Sequence, residues 1–479
     1  MSKKPEQKSY SGLKSQCLPF TEVLAQSIAN IAPSCGPALG IPLVFMTAGN
    51  GTWLAYLFAT VAVALIGYHI NHFARRSASP GALYTYVADG LGVGAGFMSG
   101  WGLILAYLLT GSAVLAGFAS YGNVFLGYFG AHANPLLLAG GAALLAWYVC
   151  FKDIKLSAKI MLLLEAVSLS LIIIVGAVVL FKRGFYIDTA QFALKGVSFD
   201  SIRIGLVLAF FSFVGFESAT TLGDEAQNPL KNIPRAVILS GIAVGLLFIV
   251  MSYTELVGFM GSKETLSEVA APMSFLAEKH GIGFMGFFIT IGAMVSFWAC
   301  AVACINAGAR LLLTMGQHRI LPSSMAQVHE NNETPHVAVT LLAIVISVIP
   351  LLLIYLKAGL MDIFGWLGTI ATLGFLLSYA LIVVAAPVFL YKRKELKVKD
   401  VVIAAISFGL VMLPIVGSVY PLPPFPFNMF PFIFLGWIIL AGSWFAIVSV
   451  HKKEVVARMK SEIQLVNSQY AELSKAANE

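Results

Sequence analysis

The chain has 479 residues, of which 58% are hydrophobic and 11% charged, with a mean hydropathy of +0.86, against roughly 25% charged residues in a soluble domain. This balance excludes a soluble globular protein and indicates a polytopic membrane protein. The formal net charge of +7 does not describe a nucleic-acid surface, because Lys and Arg fall in short clusters between apolar runs, the pattern that sets orientation in a membrane.

The N-terminus is hydrophilic through Lys14. The first apolar run lacks a small-residue cleavage site, so no cleaved signal peptide is expected. Runs long enough to cross a hydrocarbon core of ~30 Å lie at about 18–48, 52–74, 95–123, 134–151, 156–181, 202–223, 235–260, 283–315, 336–356, 361–391, 401–420 and 429–450. These twelve runs predict an all-α membrane protein with twelve transmembrane helices. With the N-terminus inside, the cytoplasmic segments carry 23 of the 30 Lys and Arg, which places both termini in the cytoplasm and the protein, multi-pass, in the cell (inner) membrane. The expected organisation is a cytoplasmic tail (1–17), a core (18–391), two further helices (392–450) and a cytoplasmic C-terminal helix (451–479). That last helix carries an amphipathic stripe of Val455, Met459, Ile463, Val466, Tyr470 and Leu473, suited to the protein's inner face, to the bilayer surface or to self-association.

Two of the twelve runs are broken. In the first, Asn30, Pro33, Ser34, Gly36 and Pro37 interrupt the apolar pattern, and each Pro removes an internal hydrogen bond. In the sixth, Ser212, Gly215 and Glu217 stand where a lipid-facing helix would carry Leu. Non-helical backbone at membrane depth is tolerated only where it is buried in protein or lines a wet cavity. Matching interruptions in two halves of a polytopic chain indicate an inverted-repeat transporter with its binding site between them.

Other patterns point away from catalysis. The five cysteines, Cys17, Cys35, Cys150, Cys300 and Cys304, lack metal-ligand spacing and read as packing residues. Gly92, Gly94 and Gly96 follow no strand, and no GxxxxGK[ST] occurs, so ATP drive within this chain is excluded and the glycines read as close helix packing. His69 and His72 are three apart, without zincin spacing. No nucleophile–base pair can be assembled, so neither an enzyme nor a cofactor or metal site is expected. Asp224 and Glu225 after the sixth run, Arg75 and Arg76 after the second, and Arg310 in the eighth are opposite charges that can meet at the inner mouth, each pair contributing ~0–1 kcal/mol in water.

FFSFVGFESATTLGDEAQNPLKNIPRAVI (210–238) closely resembles the sixth helix and following loop of the amino acid-polyamine-organocation transporters. SASPGALYTYVADGLG (77–92), GFMSGW (96–101) and INAGARLLLTMGQHRILP (305–322) extend the resemblance over roughly residues 18–395. It implies the LeuT-type fold, a 5+5 inverted repeat of helices one to ten with two C-terminal helices outside. It also implies an amino acid or amine as small-molecule partner, bound by alternating access between the unwound helices one and six. Carried over by position, Ile31, Ala32, Pro33, Ser34, Cys35 and Gly36 form one wall, and Phe211, Ser212, Phe213, Val214 and Gly215 the other, with Phe211 as gate. The sequence departs from the family where Pro33-Ser34-Cys35 replaces the usual Gly-Ser-Gly, leaving room for a polyamine or organic amine, and where Ser168 stands in helix five at the position of a coupling lysine. A channel or receptor on the same fold is the competing class. The coupling ion, proton or sodium, is left open.

Intramembrane acids are costly and default to functional candidates. Glu165, one turn before Ser168, and Glu217, just past the sixth break, are the coupling candidates, with Ser168 and Asn306. Glu217 has a structural alternative, a hydrogen bond to unwound backbone, and Asn306 either faces the site or caps a neighbouring group. If one of the two acids carries a coupling proton, Glu165→Gln or Glu217→Gln abolishes the dependence of uptake on a pH gradient. Uptake that keeps this dependence in both variants removes the idea.

Overall fold

The computed structural model describes residues 11–476. Residues 1–10 of the expected tail and 477–479 lie outside it. Among the described residues the fold is helical, with one isolated bridge, Leu18 to Ala226. In chain order the helices are α1 (Phe20–Ile31), α2 (Ile41–Ala48), α3 (Thr52–Ala74), α4 (Leu83–Leu91), α5 (Val93–Gly127), α6 (Pro135–Lys152), α7 (Ile154–Lys182), α8 (Thr189–Phe192) and α9 (Phe199–Phe211). They continue with α10 (Pro229–Phe259), α11 (Pro272–Lys279), α12 (Phe284–Gln317), α13 (His336–Tyr355), α14 (Leu360–Lys392), α15 (Val398–Gly417), α16 (Phe430–His451) and α17 (Lys453–Ala476).

Among the described residues, 10 helical stretches are long and apolar enough to cross a membrane, against the twelve runs read from the sequence. The difference lies at the Gly49–Gly51 turn, which joins the first two runs, and at the break in the sixth. Residues Phe20–Ala74 form one stretch of 55 residues, and the sixth run is divided into α9, of 13 residues, and a 3₁₀ turn at Ser218–Leu222. The most apolar window of α5 is 94% buried and that of the last stretch 11%, so α5 is central and α16 peripheral. α5 packs against α12 and α14, and α10 packs against α3. Exposed Leu137, Phe181 and Ile439 belong to the apolar exterior that a bilayer covers.

Local chemistry explains both interruptions. α1 ends where Ala32 takes a left-handed φ of 52°, a conformation that costs an L-residue roughly 1–2 kcal/mol. A π-helical turn, Gly36–Gly40, then leads into α2. α9 begins in a Ser198/Ser201 capping box and gives way to turns in which Gly215 holds φ 86°. α10 restarts behind Asn228 with Pro229 at its first position, where a missing N–H costs nothing.

The two broken segments are tied together below their breaks. Gln16 N–H donates to Asp224 O at 3.0 Å, Leu18 N–H to Glu225 O at 2.9 Å and Gln227 N–H to Leu18 O at 2.8 Å. Ser218 Oγ donates to Gln26 O at 3.2 Å, and Ala219 N–H to Ser27 Oγ at 3.1 Å. Arg310 spans this seam, its Nε 2.5 Å and Nη2 2.7 Å from the Glu225 carboxylate. The expectation of a weak pair in water is corrected here, because the two side chains are 1% and 0% exposed. Arg76 pairs instead with Glu395, where both side chains are partly exposed.

α17 lies against α16 and α5. Val455, Met459 and Ile463 are buried, and Tyr470 packs on the core; the Leu473 side chain is outside the described part. A buried pair that loses one partner leaves an uncompensated charge, so Glu225→Gln is expected to destabilise the protein by about 3–5 kcal/mol, whereas Arg76→Ala changes stability by ~0–1 kcal/mol. Thermal denaturation of the two purified variants in one detergent measures the contrast.

Candidate functional site

The two breaks face each other across a small, closed-down cavity. Helix-one residues Asn30, Ile31, Ala32, Cys35, Gly36 and Gly40 line one side, and Phe211, Ser212 and Val214 the other. Thr110 and Val114 of α5, Cys300 of α12 and Phe364 of α14 complete the wall. No Lys, Arg, Asp or Glu is among these residues.

Close backbone approach holds the walls at this spacing. A methyl group on Gly40 would come within 2.8 Å of Ser212 Oγ, and one on Gly215 within 2.5 Å of Asn30 Cγ. Each break is therefore seated in a notch of the other. The Phe248 ring covers Gly36, where a methyl would meet it at 2.2 Å, so the π-helical turn rests against α10. Two tyrosines brace the same elements: Tyr56 Oη lies 3.0 Å from Ser212 Oγ, and Tyr121 Oη donates to Ala38 O at 3.0 Å.

Of the residues predicted for the site, Ile31, Ala32, Cys35, Gly36, Phe211, Ser212 and Val214 border the cavity. Phe211 packs edge-on to Phe364, their centroids 5.3 Å apart, over Gly368, whose bare Cα makes room for the ring. Ser34 turns outward and accepts from Ser168 Oγ at 2.5 Å. Phe213 packs against Tyr56 and Phe248, and Gly215 faces Asn30. Sequence reasoning did not reach Gly40, Thr110, Val114, Cys300 and Phe364, and it treated Asn30 only as part of the break. Asn30 Oδ1 and its own carbonyl accept from the Cys304 and Cys300 thiols, while Asn30 Nδ2 and Thr110 Oγ1 have no protein partner. An orphaned polar atom at a cavity wall is available to a ligand.

The intramembrane acids differ in how fully they are engaged. Glu217 is 0% exposed and accepts from Tyr107 Oη at 2.9 Å and Tyr379 Oη at 2.5 Å, joining the sixth segment to α5 and α14. The backbone at Gly215, in the unwound sixth segment, bonds it as well, so its partners are tyrosines and unwound backbone together. Glu165 accepts from Ser296 Oγ at 2.7 Å, and Ser296 neighbours the Cys35 thiol at 3.8 Å; its other oxygen is unpartnered. Asn306 donates to Ser157 Oγ at 3.1 Å, away from the cavity lining.

Comparison with known proteins agrees with this architecture. Residues 22–463 match the family model described as amino acid permease. The chain is 25% identical to a branched-chain amino acid permease of Bacillus subtilis, covering 73% of this chain and 76% of the relative. It is 24% identical to a branched-chain amino acid permease of Lactococcus lactis, covering 90% and 92%. It is also 26% identical to a methylthioribose transporter of Bacillus subtilis, covering 77% and 78%.

The notch at Gly215 gives a direct check. Gly215→Ala forces a side chain into left-handed backbone and against Asn30, and is expected to lower stability by at least about 1 kcal/mol, whereas Gly409→Ala, with nothing within 4 Å, leaves it unchanged or slightly raised. Paired melting curves of the variants read the difference.

Proposed function

The chain belongs to the amino acid permease family, and from that premise we propose that it is a secondary transporter carrying a small neutral amino acid by alternating access, bound between the broken helices one and six. The observation that carries this reading is the cavity lined on both sides by the ends and breaks of the first and sixth segments. Segment ends present bare N–H and C=O dipoles, equivalent to about half a unit charge each, which suits the carboxylate and ammonium of a zwitterion. Asn30 Nδ2 and Thr110 Oγ1 supply further polar contacts.

The rest of the lining selects the side chain. Ile31, Val114, Phe211, Val214 and Phe364 give an apolar wall, and no carboxylate borders the cavity to receive a cationic side chain or a polyamine. This favours an apolar substrate, in keeping with the relatives named branched-chain amino acid permeases, over the amine alternative. Phe211, between the cavity and Gly368, is the proposed gate.

In the same reading the chain spans the inner membrane twelve times as a 5+5 inverted repeat plus two helices, with both termini cytoplasmic. The seam of Leu18, Ala226, Glu225 and Arg310 is then the closed inner gate, and it opens in the opposite state. Among the coupling candidates, Glu165 has the position to respond to the cavity, through Ser296 and Cys35, whereas Ser168, Glu217 and Asn306 hold the frame.

Purified protein is expected to gain thermal stability with leucine, isoleucine or valine and none with lysine, arginine or spermidine, and Phe211→Ala is expected to weaken the stabilising ligand at least tenfold, about 1.4 kcal/mol. Proteoliposomes loaded with unlabelled leucine should take up labelled leucine faster than empty ones. A channel or receptor shows no such trans-stimulation.

A further inference from the structure

One buried acid has no place in the site or in the frame that holds it. Glu255 in α10 is 0% exposed, and neither of its carboxyl oxygens meets a protein donor. Glu217 has both oxygens bonded and Glu165 one, so Glu255 is the extreme of the series.

Its position is informative. Glu255 follows Phe248 by seven residues, two turns of helix and about 10 Å along the axis, and therefore lies on the same face of α10. Phe248 on that face covers Gly36 of the π-helical turn, and α10 and α11 both pack against that turn. Tyr56 and Tyr121, which brace Ser212 and Ala38, are within electrostatic reach of the Glu255 carboxyl. The carboxyl is thus packed behind the wall formed by helix one.

We propose that Glu255 is a proton-binding site whose occupancy sets the packing of the Gly36–Gly40 turn, so that proton and substrate binding are linked through helix one. Leaving a carboxylate dry and unpaired costs several kcal/mol, so the closed packing requires the acid form. Water reaching the site lets the carboxylate release its proton, and the turn then cannot close over the bare charge. Nothing but a proton is exchanged.

Among the described residues, no Lys, Arg or His acts on the Glu255 carboxyl as a counter-charge. Tyr56 faces the carboxyl from α3 and Tyr121 from α5, and both hydroxyls are already engaged. α7 presents apolar Ile172, Val175 and Val179 on its buried side. Lys279 at the end of α11 and Arg183 after α7 direct donors to Gly258 O and Met260 O, at the end of α10, and Arg183 Nε and His280 Nε2 beside them have no protein partner. A metal ion would require a cage of oxygens, and no group of three or more His, Cys, Asp or Glu able to hold one occurs among the described residues.

The inference rests on the carrier reading only in its transport consequence, so two measurements are needed on the full chain. First, apparent melting temperatures of wild type and E255Q are compared between about pH 5 and pH 8. A carboxyl that keeps its proton on folding makes wild type lose stability relative to E255Q as pH rises, and parallel curves overturn the site. Second, labelled leucine counterflow and uptake are measured in proteoliposomes. Counterflow absent from wild type overturns the carrier reading while the melting comparison still decides protonation at Glu255. With counterflow present, uptake in wild type is expected to rise with an acid-outside gradient and uptake in E255Q to lose that response. A wild type that responds only to a sodium gradient, or an E255Q that responds like wild type, overturns the linkage. Should E255Q show no counterflow, E255M, of similar size and without a titratable group, is used, and a pH response unchanged from wild type is again the overturning result.

Discussion

The structure depends on one constraint: a helix interrupted inside a membrane must have its freed peptide groups and its bends accommodated by protein rather than lipid. This chain meets the constraint by setting its two interruptions against each other. Asn30 packs into the space left by Gly215, Ser212 into the space left by Gly40, and Gln26 and Ser27 bond Ser218 and Ala219 just below. What remains between the breaks is the cavity, lined by both. The same geometry that makes the interruptions tolerable therefore makes the site.

Polar side chains inside the bundle divide according to what they hold. Glu217, bonded by Tyr107 and Tyr379, fastens the sixth segment to α5 and α14. Arg310 and Glu225 fasten the seam between the N-terminal segment and the loop after the sixth run, and at 1% and 0% exposure they act where charge is little screened. Ser168 fastens Ser34. These bonds form a frame that can rearrange only in discrete steps, since a buried donor or acceptor must exchange one partner for another. Glu255, Asn30 Nδ2 and Thr110 Oγ1 are among the buried groups outside that economy, with no protein partner, and so can answer to a proton or a ligand.

Periphery and centre follow different rules. α5 and α12 are buried on nearly every side and are rich in Gly and Ala, which lets neighbouring backbones approach; α5 meets α14 where Gly102 faces Gly374 O at 3.0 Å from its hypothetical methyl. α16 is mostly exposed and keeps large apolar side chains on its surface. Indole pairing of Trp101 with Trp437 at 4.8 Å joins it to the core.

The sequence by itself determined the membrane setting, the helical class, the family and the level of both breaks, because each is written in runs of neighbouring residues: long apolar stretches, Pro33 and Pro37, Gly215, and the block around Glu217. It also brought Ile31, Ala32, Cys35, Phe211 and Ser212 into the discussion of the cavity before any coordinates. It did not reveal Thr110, Val114, Cys300 or Phe364, since a residue on an apolar helix gives no local sign of which face turns inward. Nor did it separate Glu217 from Glu165, one fully bonded and one half bonded, and it passed over Glu255, which is bare. Nothing in a linear chain says whether a carboxyl will meet two tyrosines from helices more than a hundred residues away or none. Only tertiary packing decides that, because hydrogen-bond satisfaction is a property of the neighbours and not of the residue.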